Sequence, residues 1–243
     1  MDKSSYEEKY RLRISDFDCY DRITPCCILD LAQDIAGKHA DILGIGYQDF
    51  IVNNRIWVLL RTRYEMVKYP PLYSILSVKT WPREKGRVDF DRDTLIKDEN
   101  GDIVCKVQSK WVIIDSEKRR LVLPRQYNYP LDTFLKEKTF DTSFDKLDDF
   151  NIEDAPCFSF ETSFLDLDHN GHVNNVSYVK YILDCIKLDS KYQISSLEIN
   201  YIHEIKAYEK LNIYIKKEND IYFVKGVASD ETVFIAKITI KLK

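Results

Sequence analysis

The sequence predicts an α+β fold built from two copies of one unit, each a long helix wrapped by an antiparallel β-sheet. Three observations predict it. Compared with itself, the chain aligns ISDFDCYDRITPCCILDLAQDIA, from Ile14, with FLDLDHNGHVNNVSYVKYILDCI, from Phe164, without a gap and at an offset of 150 positions. Asp16 falls on Asp166, Asp18 on Asp168, Ile23 on Val173, Leu29 on Val179 and Asp34 on Asp184. Each aligned segment follows a strand-like run and precedes four more. The composition agrees: 16 Tyr, 12 Phe and 3 Trp against seven Gly and seven Pro suit long strands joined by few tight turns.

The elements follow in order. Residues 6–14 read as a strand. Thr24 is placed to cap a helix with Pro25 at its first position. Ile28, Leu31, Ile35, His39 and Ile42 then keep helical spacing, and Gly44 and Gly46 end it. Four β-rich runs come next, at 56–67, 75–80, 88–96 and 104–115. The pairs Pro70-Pro71, Lys85-Gly86 and Asn100-Gly101 mark the turns between them. The second half repeats the order: a strand at 157–164, a helix capped by Asn174 or Asn175, and strands at 196–202, 211–217, 221–228 and 232–242. Each helix has to bury its apolar face against the sheet of its own unit. Residues 125–156, rich in Asp, Lys, Phe and Thr with weak periodicity, read as a linker.

Composition narrows the function. With 243 residues, 44% hydrophobic and 31% charged, the chain is globular rather than disordered. A net charge of −4 speaks against general nucleic-acid binding, and an acidic partner would need a local basic patch. MDKSSYEEKYRLR has no apolar core, so no signal peptide is expected, and no run approaches the roughly 18 apolar residues of a membrane span. Cysteines at 19, 26, 27, 105, 157 and 185 form no C-x-x-C pair, which fits free thiols in a cytoplasmic protein.

The stretch DLDHNGHVNN, Asp166 to Asn175, concentrates the chemistry. It opens like a calcium loop, with Asp166, Asp168 and Asn170 as ligands, Gly171 and Val173. The twelfth position is Ser177 instead of a bidentate Glu, and the incoming element is a strand instead of a helix. His169 and His172 with an aspartate could hold a transition metal only on a shared helix face, and they precede the helix. Turn-making and capping explain Asp166, Gly171 and Asn174. They do not explain His172, because the first copy makes its turn with Tyr20 for Asn170 and Arg22 for His172. A reactive cluster kept in one copy of a duplicated fold fits that difference.

These residues resemble a known family. The pattern D-L-D-x-N-x-H-V-N-N-x-x-Y looks like the signature of acyl-acyl carrier protein (acyl-ACP) thioesterases of the bacterial type. HADILGIG at 39–46, RIWVL at 55–59, YP at 69–70, TWP at 80–82, RD at 92–93, WVIID at 111–115 and LEINYIHEI at 197–205 look like further family landmarks in order. The resemblance implies tandem hot-dog domains. The N-terminal domain (1–124) would carry an acyl-chain channel and a degenerate site, 125–156 the linker, and 157–243 the catalytic domain. It implies that Asp168, Asn170, His172 and Glu204 are catalytic, Glu204 lying on the strand that returns over the helix start. It implies no cofactor and no metal, an acyl carrier protein bearing a fatty acyl thioester as partner, and release of free fatty acid in the cytoplasm; a homodimer is compatible with it. A cysteine that often follows the glutamate in the family is Ile205 here, so a papain-like reaction is not expected.

The chemistry can be argued separately. Thioester hydrolysis needs an activated water and a stabilised oxyanion; the thiolate leaves readily. A carboxylate and an imidazole activating water contribute about 10²–10⁴-fold. N–H groups at the start of the helix after Asn174 can receive the oxyanion. Glu204 would activate water and His172 share or relay the proton. Asn170 would position water or carbonyl, and Asp168 would orient both neighbours. An acyl-CoA thioesterase on the same fold is the first alternative, and a non-catalytic acyl-binding hot-dog protein the second. His39, on an apolar helix face, is expected in the core, as are Trp57, Trp81 and Trp111. His169 and His203 are expected at the surface.

Overall fold

A computed structural model describes residues 3–145, 147–151 and 156–243. Residue 146 and residues 152–155 of the expected linker lie outside them. The chain forms two compact units, Met1–Ser143 and Phe144–Lys243. The first contains β1 (Tyr6–Arg11), α1 (Pro25–Ile42), α2 (Tyr47–Ile51), β2 (Arg55–Met66), β3 (Ile75–Pro82), β4 (Phe90–Lys97), β5 (Ile103–Asp115) and β6 (Arg120–Val122). Its strands pair antiparallel in the order β1-β3-β4-β5-β2, with β6 added at the end of β5. The second unit contains β7 (Phe158–Glu161), α3 (Asn175–Ile186), β8 (Tyr192–Tyr201), β9 (Lys210–Glu218), β10 (Ile221–Ala228) and β11 (Glu231–Leu242). Its order, β7-β9-β10-β11-β8, is the first order strand for strand. In both units the first and second strands lie at opposite edges, so the helix joining them has to cross the sheet.

Local chemistry sets the helix starts. Thr24 Oγ1 accepts the Cys27 N–H at 3.1 Å with Pro25 at the first helical position, and Asn174 Oδ1 accepts the Val176 N–H at 2.9 Å. Asn174, not Asn175, is therefore the second cap. Ile28, Ile35 and His39 turn the buried face of α1 to the sheet; Tyr178, Val179 and Ile182 do so on α3. Leu76, Val78 and Ile96 are buried in the strands of the first unit and Ile199, Phe234, Ala236 and Ile238 in those of the second, where Phe234 packs on Tyr178 at 5.4 Å. Each such aliphatic side chain contributes about 1.5–3 kcal/mol by leaving water.

The structure differs from the sequence expectation at the first strand of each unit. Both strands are shorter than the runs 6–14 and 157–164, and a single 3₁₀ turn follows, Ile14–Asp16 and Phe164–Asp166. The cause is an aspartate reaching back: Asp16 accepts the Arg13 N–H at 2.6 Å and Asp166 the Ser163 N–H at 2.7 Å, closing a turn where the strand would continue. α2 and β6, short elements with little periodicity, were not legible.

His39 is fully buried, as expected, its Nε2–H donating to the Lys3 carbonyl at 2.9 Å and its Nδ1 accepting from Arg92 at 3.0 Å. Trp81 is fully buried, with its indole N–H on the Glu137 carbonyl at 3.0 Å. Trp57 stacks on Phe50 at 5.2 Å, and Trp111 is half-buried. Residues 137–143 run along the first unit. Thr139 and Arg83 both bond Asp93, and Arg63 donates to the Ser143 carbonyl at 3.0 Å and stacks on Phe140 at 4.2 Å.

Candidate active site

The turn before α3 is organised by Asp168. Its Oδ1 accepts the N–H groups of Asn170 at 2.8 Å and His172 at 3.3 Å, and its Oδ2 accepts the Asn170 side-chain amide at 3.3 Å. Its own N–H donates to the His172 carbonyl at 2.8 Å, while Leu167 and Val173 form a one-pair antiparallel bridge. Gly171 sits at φ +78°, the left-handed region in which glycine is unstrained. Asp166 faces the other side, accepting from the N–H and hydroxyl of Ser163 at 2.7 and 2.8 Å. Burial pushes the Asp166 carboxyl up, but these hydrogen bonds, with the Tyr181 hydroxyl and the positive charge of Lys180, outweigh it and hold the group below the usual range. Among the described residues no group of three or more His, Cys, Asp and Glu is arranged to hold a metal.

Glu204 reaches the same turn from the connection after β8. Its Oε2 lies 3.3 Å from His172 Nε2, with the side chains 46% and 27% exposed, so the pair is open to water on one side. Asp168, Asn170, His172 and Glu204 are thus brought into one cluster at the start of α3. Glu204 is not on a strand, contrary to expectation. β8 stops at Tyr201, because the N–H groups of Ile202 and His203 both turn to the Val233 carbonyl, at 2.9 and 3.2 Å, and end the ladder. The next backbone anchor is the Ile205 carbonyl, which accepts the Val173 N–H at 2.8 Å. That bond joins the residue after His172 to the residue after Glu204, and sequence reasoning gave no sign of it. His169 and His203 lie on the surface, as expected.

No cysteine enters the cluster. Ile205 is fully buried in the position where a thiol could stand. Cys185 is near the opposite end of α3, about 15 Å along the axis from Asn175 at 1.5 Å per residue. Burial and the neighbouring Cys157 push its thiol up to about 12.

The connection carrying Glu204 has a counterpart in the first unit. There Val67 and Lys68 both donate to the Val104 carbonyl, at 2.9 and 3.2 Å. Tyr73 and Tyr208 both adopt left-handed φ, 62° and 65°. Leu12 donates to Ser74 as Thr162 does to Glu209, at 2.9 and 3.0 Å. These correspondences set Tyr69 in the place of Glu204 and Pro70 in that of Ile205.

Two units of the same strand order, each with its helix packed against its strands and one with an imidazole and a carboxylate paired at the helix start, define a tandem hot-dog protein. An acyl-ACP thioesterase N-terminal domain model matches residues 3–124, and an acyl-ACP thioesterase C-terminal domain model matches residues 151–242. The chain belongs to the acyl-ACP thioesterase family. It is 28% identical over 223 residues to the chloroplastic oleoyl-acyl carrier protein thioesterase of Coriandrum sativum, covering 84% of this chain and 60% of that protein. It is 29% identical over 192 residues to the chloroplastic palmitoyl-acyl carrier protein thioesterase of Gossypium hirsutum, covering 73% of this chain and 46% of that one. The chain therefore spans less than two thirds of the length of these plant relatives. The fold is shared with a crystal structure of an acyl-ACP thioesterase from Bacteroides thetaiotaomicron, at TM-score 0.85, 23% identity and coverage of 99% and 100% of the two chains. It is shared also with a 12:0-ACP thioesterase from Umbellularia californica, at TM-score 0.88, 20% identity and 98% coverage of each.

Proposed function

We propose that the chain hydrolyses fatty acyl-acyl carrier protein thioesters to release free fatty acid, with Asp168, Asn170, His172 and Glu204 as its working groups. The observation that carries this is the 3.3 Å approach of Glu204 Oε2 to His172 Nε2 at the start of α3. The water oxygen bonds to the thioester carbonyl carbon while its proton passes to Glu204 or across to His172. The tetrahedral oxyanion then collapses, the C–S bond breaks, and the carrier's thiolate takes up the proton. Asp168 fixes the backbone of Asn170 and His172, and the Asn170 amide, tethered to it, is left to orient water or carbonyl.

The oxyanion would be met by the start of α3. The N–H groups of Val173, Asn174, Val176 and Ser177 are engaged with Ile205, Asp166 and Asn174. Among the described residues the Asn175 N–H has no acceptor, so it is the donor on offer.

In this reading the C-terminal domain, 157–243, carries the chemistry and the N-terminal domain, 1–124, the acyl channel. Names of relatives that include acyl carrier protein support a carrier-bound substrate over a CoA thioester. No helix among the described residues is long and apolar enough to cross a membrane. Six free cysteines support a reducing, cytoplasmic setting. A homodimer is compatible with the reading, and light scattering at assay concentration decides it. The test of function is hydrolysis of acyl thioesters matched in chain length, carried on acyl carrier protein or on CoA. Faster turnover on the carrier protein is expected; a preference for CoA would move the chain to the CoA class, and no turnover on either would leave a binding protein.

A further inference from the structure

Tyr201 ends β8 three residues before Glu204, and none of the steps above uses it. Its hydroxyl donates to the Asn175 carbonyl at 3.3 Å, which ties the strand to the first residue of α3. Its half-buried ring packs against Tyr178 at 5.8 Å. The Val173 N–H, donating to the Ile205 carbonyl at 2.8 Å, ties the same two segments one residue after Glu204. The pairing of Glu204 with His172 therefore stands between two bonds, one from backbone to backbone and one made by a side chain.

The peptides around Asn175 are held from within the turn and the helix. The Asn174 N–H donates to the Asp166 carbonyl at 2.8 Å, and the Asn174 carbonyl accepts the Ser177 N–H at 2.9 Å. The Val176 N–H is taken by Asn174 Oδ1 at 2.9 Å. The Tyr201 bond reaches outside them, to β8. The first unit supplies an independent observation. Pro25 stands in the place of Asn175 and has no N–H to give. Met66, which ends β2 as Tyr201 ends β8, has no hydroxyl. It is 4% exposed, so packing at this place needs no phenol. The donor N–H and the hydroxyl tie are lost together in the copy that has Tyr69 for Glu204.

We infer that Tyr201 is a positioning residue for the oxyanion donor: its hydroxyl binds the Asn175 carbonyl and so fixes the Asn175 N–H relative to the chain that delivers Glu204. Hydrolysis brings the activated water and the oxyanion donor to one carbonyl carbon, and a misplacement of about 1 Å between such groups can cost about 10²-fold. Ile202 and His203 turn out of the ladder directly after Tyr201, so the tie falls on the last residue that the strand holds. The inference rests on the hydrolysis reading of the same cluster.

The test is a double-mutant cycle of Y201F and N175P. Y201F keeps the ring and removes the hydroxyl. N175P keeps the carbonyl and removes the N–H, at a first helical position where proline is favoured. Asn174 has its ψ at 139°, inside the range that the residue before a proline prefers, as Thr24 at 146° precedes Pro25. In steady-state hydrolysis of acyl-acyl carrier protein, N175P should lose about 10²-fold more kcat than N175A, which keeps the N–H. Y201F should lose about tenfold in kcat, with KM within about twofold and Tm held. Added to N175P, Y201F should cost no further kcat, because the N–H that it positions is gone. A wild-type kcat in Y201F overturns the inference. So does a loss that tracks Tm, an N175P no worse than N175A, or a Y201F loss of the same size beside N175P. A wild-type protein that hydrolyses no thioester overturns the proposed function and the inference with it.

Discussion

The turn entering α1 and the turn entering α3 share a backbone and differ in what they display. Asp18 donates to the Arg22 carbonyl at 2.8 Å, as Asp168 does to that of His172. The Thr24 N–H donates to the Asp16 carbonyl at 2.9 Å, and the Asn174 N–H to the Asp166 carbonyl at 2.8 Å. Asp18 Oδ1 collects the N–H groups of Tyr20 and Arg22 at 2.9 and 3.0 Å, just as Asp168 collects those of Asn170 and His172. Asp21 accepts a left-handed φ of 55° where the second copy has Gly171. The aspartate is therefore scaffold in both. In the first copy its other oxygen binds Arg22 Nε at 2.7 Å, and the guanidinium, almost buried, stacks on Tyr20 at 4.7 Å. In the second copy the corresponding residue is a partly buried imidazole facing a half-exposed carboxylate. One backbone carries a closed ion pair in one unit and an open acid/base pair in the other.

The largest effect is expected from H172A, which should lower kcat for acyl-acyl carrier protein by about 10²–10⁴-fold with the fold intact by circular dichroism. The corresponding first-copy change, R22A, should leave kcat within about twofold.

The two scaffold aspartates should separate stability from activity. D18A removes the carboxylate from a nearly buried guanidinium and should cost about 2–3 kcal/mol by urea unfolding, with kcat per folded molecule unchanged. D168A, at an exposed turn, should cost about 1 kcal/mol yet lower kcat by tenfold or more, because Asn170 and His172 lose their alignment. Equal kcat losses in both variants would contradict a division of labour between the copies.

The smallest effect lies in the first core. Burial, aided by the positive charge of Arg92, depresses the His39 imidazole to about 4, so the folded protein holds it neutral. Its ordinary value is near 6.5. The stabilising contribution is complete above about pH 6.5 and is lost as pH falls toward 4, where the unfolded chain takes a proton that the folded chain refuses. Tm measured between pH 7 and pH 4.5 should fall less steeply in H39Q than in the wild type; parallel slopes would refute this.

Much of this architecture was legible in the sequence. The offset of 150 placed both aspartate turns and both helix starts, because Thr24-Pro25 and Asn174-Asn175 are local capping signals. The strand at 221–228 has the bounds its alternation implied. The offset does not reach Glu204. α1 has 18 residues and is followed by α2, whereas α3 has 12, so beyond the helices the copies correspond at a different spacing. A gap-free comparison could not pair Glu204 with Tyr69; the matched bonds to Val104 and Val233 and the left-handed Tyr73 and Tyr208 do so. The end of β8 at Tyr201 was hidden for a similar reason: apolar alternation runs on to Ile202, while the hydrogen bonds that stop the ladder come from a distant strand.

The central claim is that the second copy alone performs hydrolysis, through the carboxylate that the first copy replaces with a phenol. Its most direct test is kcat on acyl-acyl carrier protein for E204Q beside Y69F, each keeping the shape of the side chain it replaces. E204Q should lose about 10²-fold or more and Y69F should match the wild type. An active E204Q, or a Y69F that loses as much as E204Q, would contradict it.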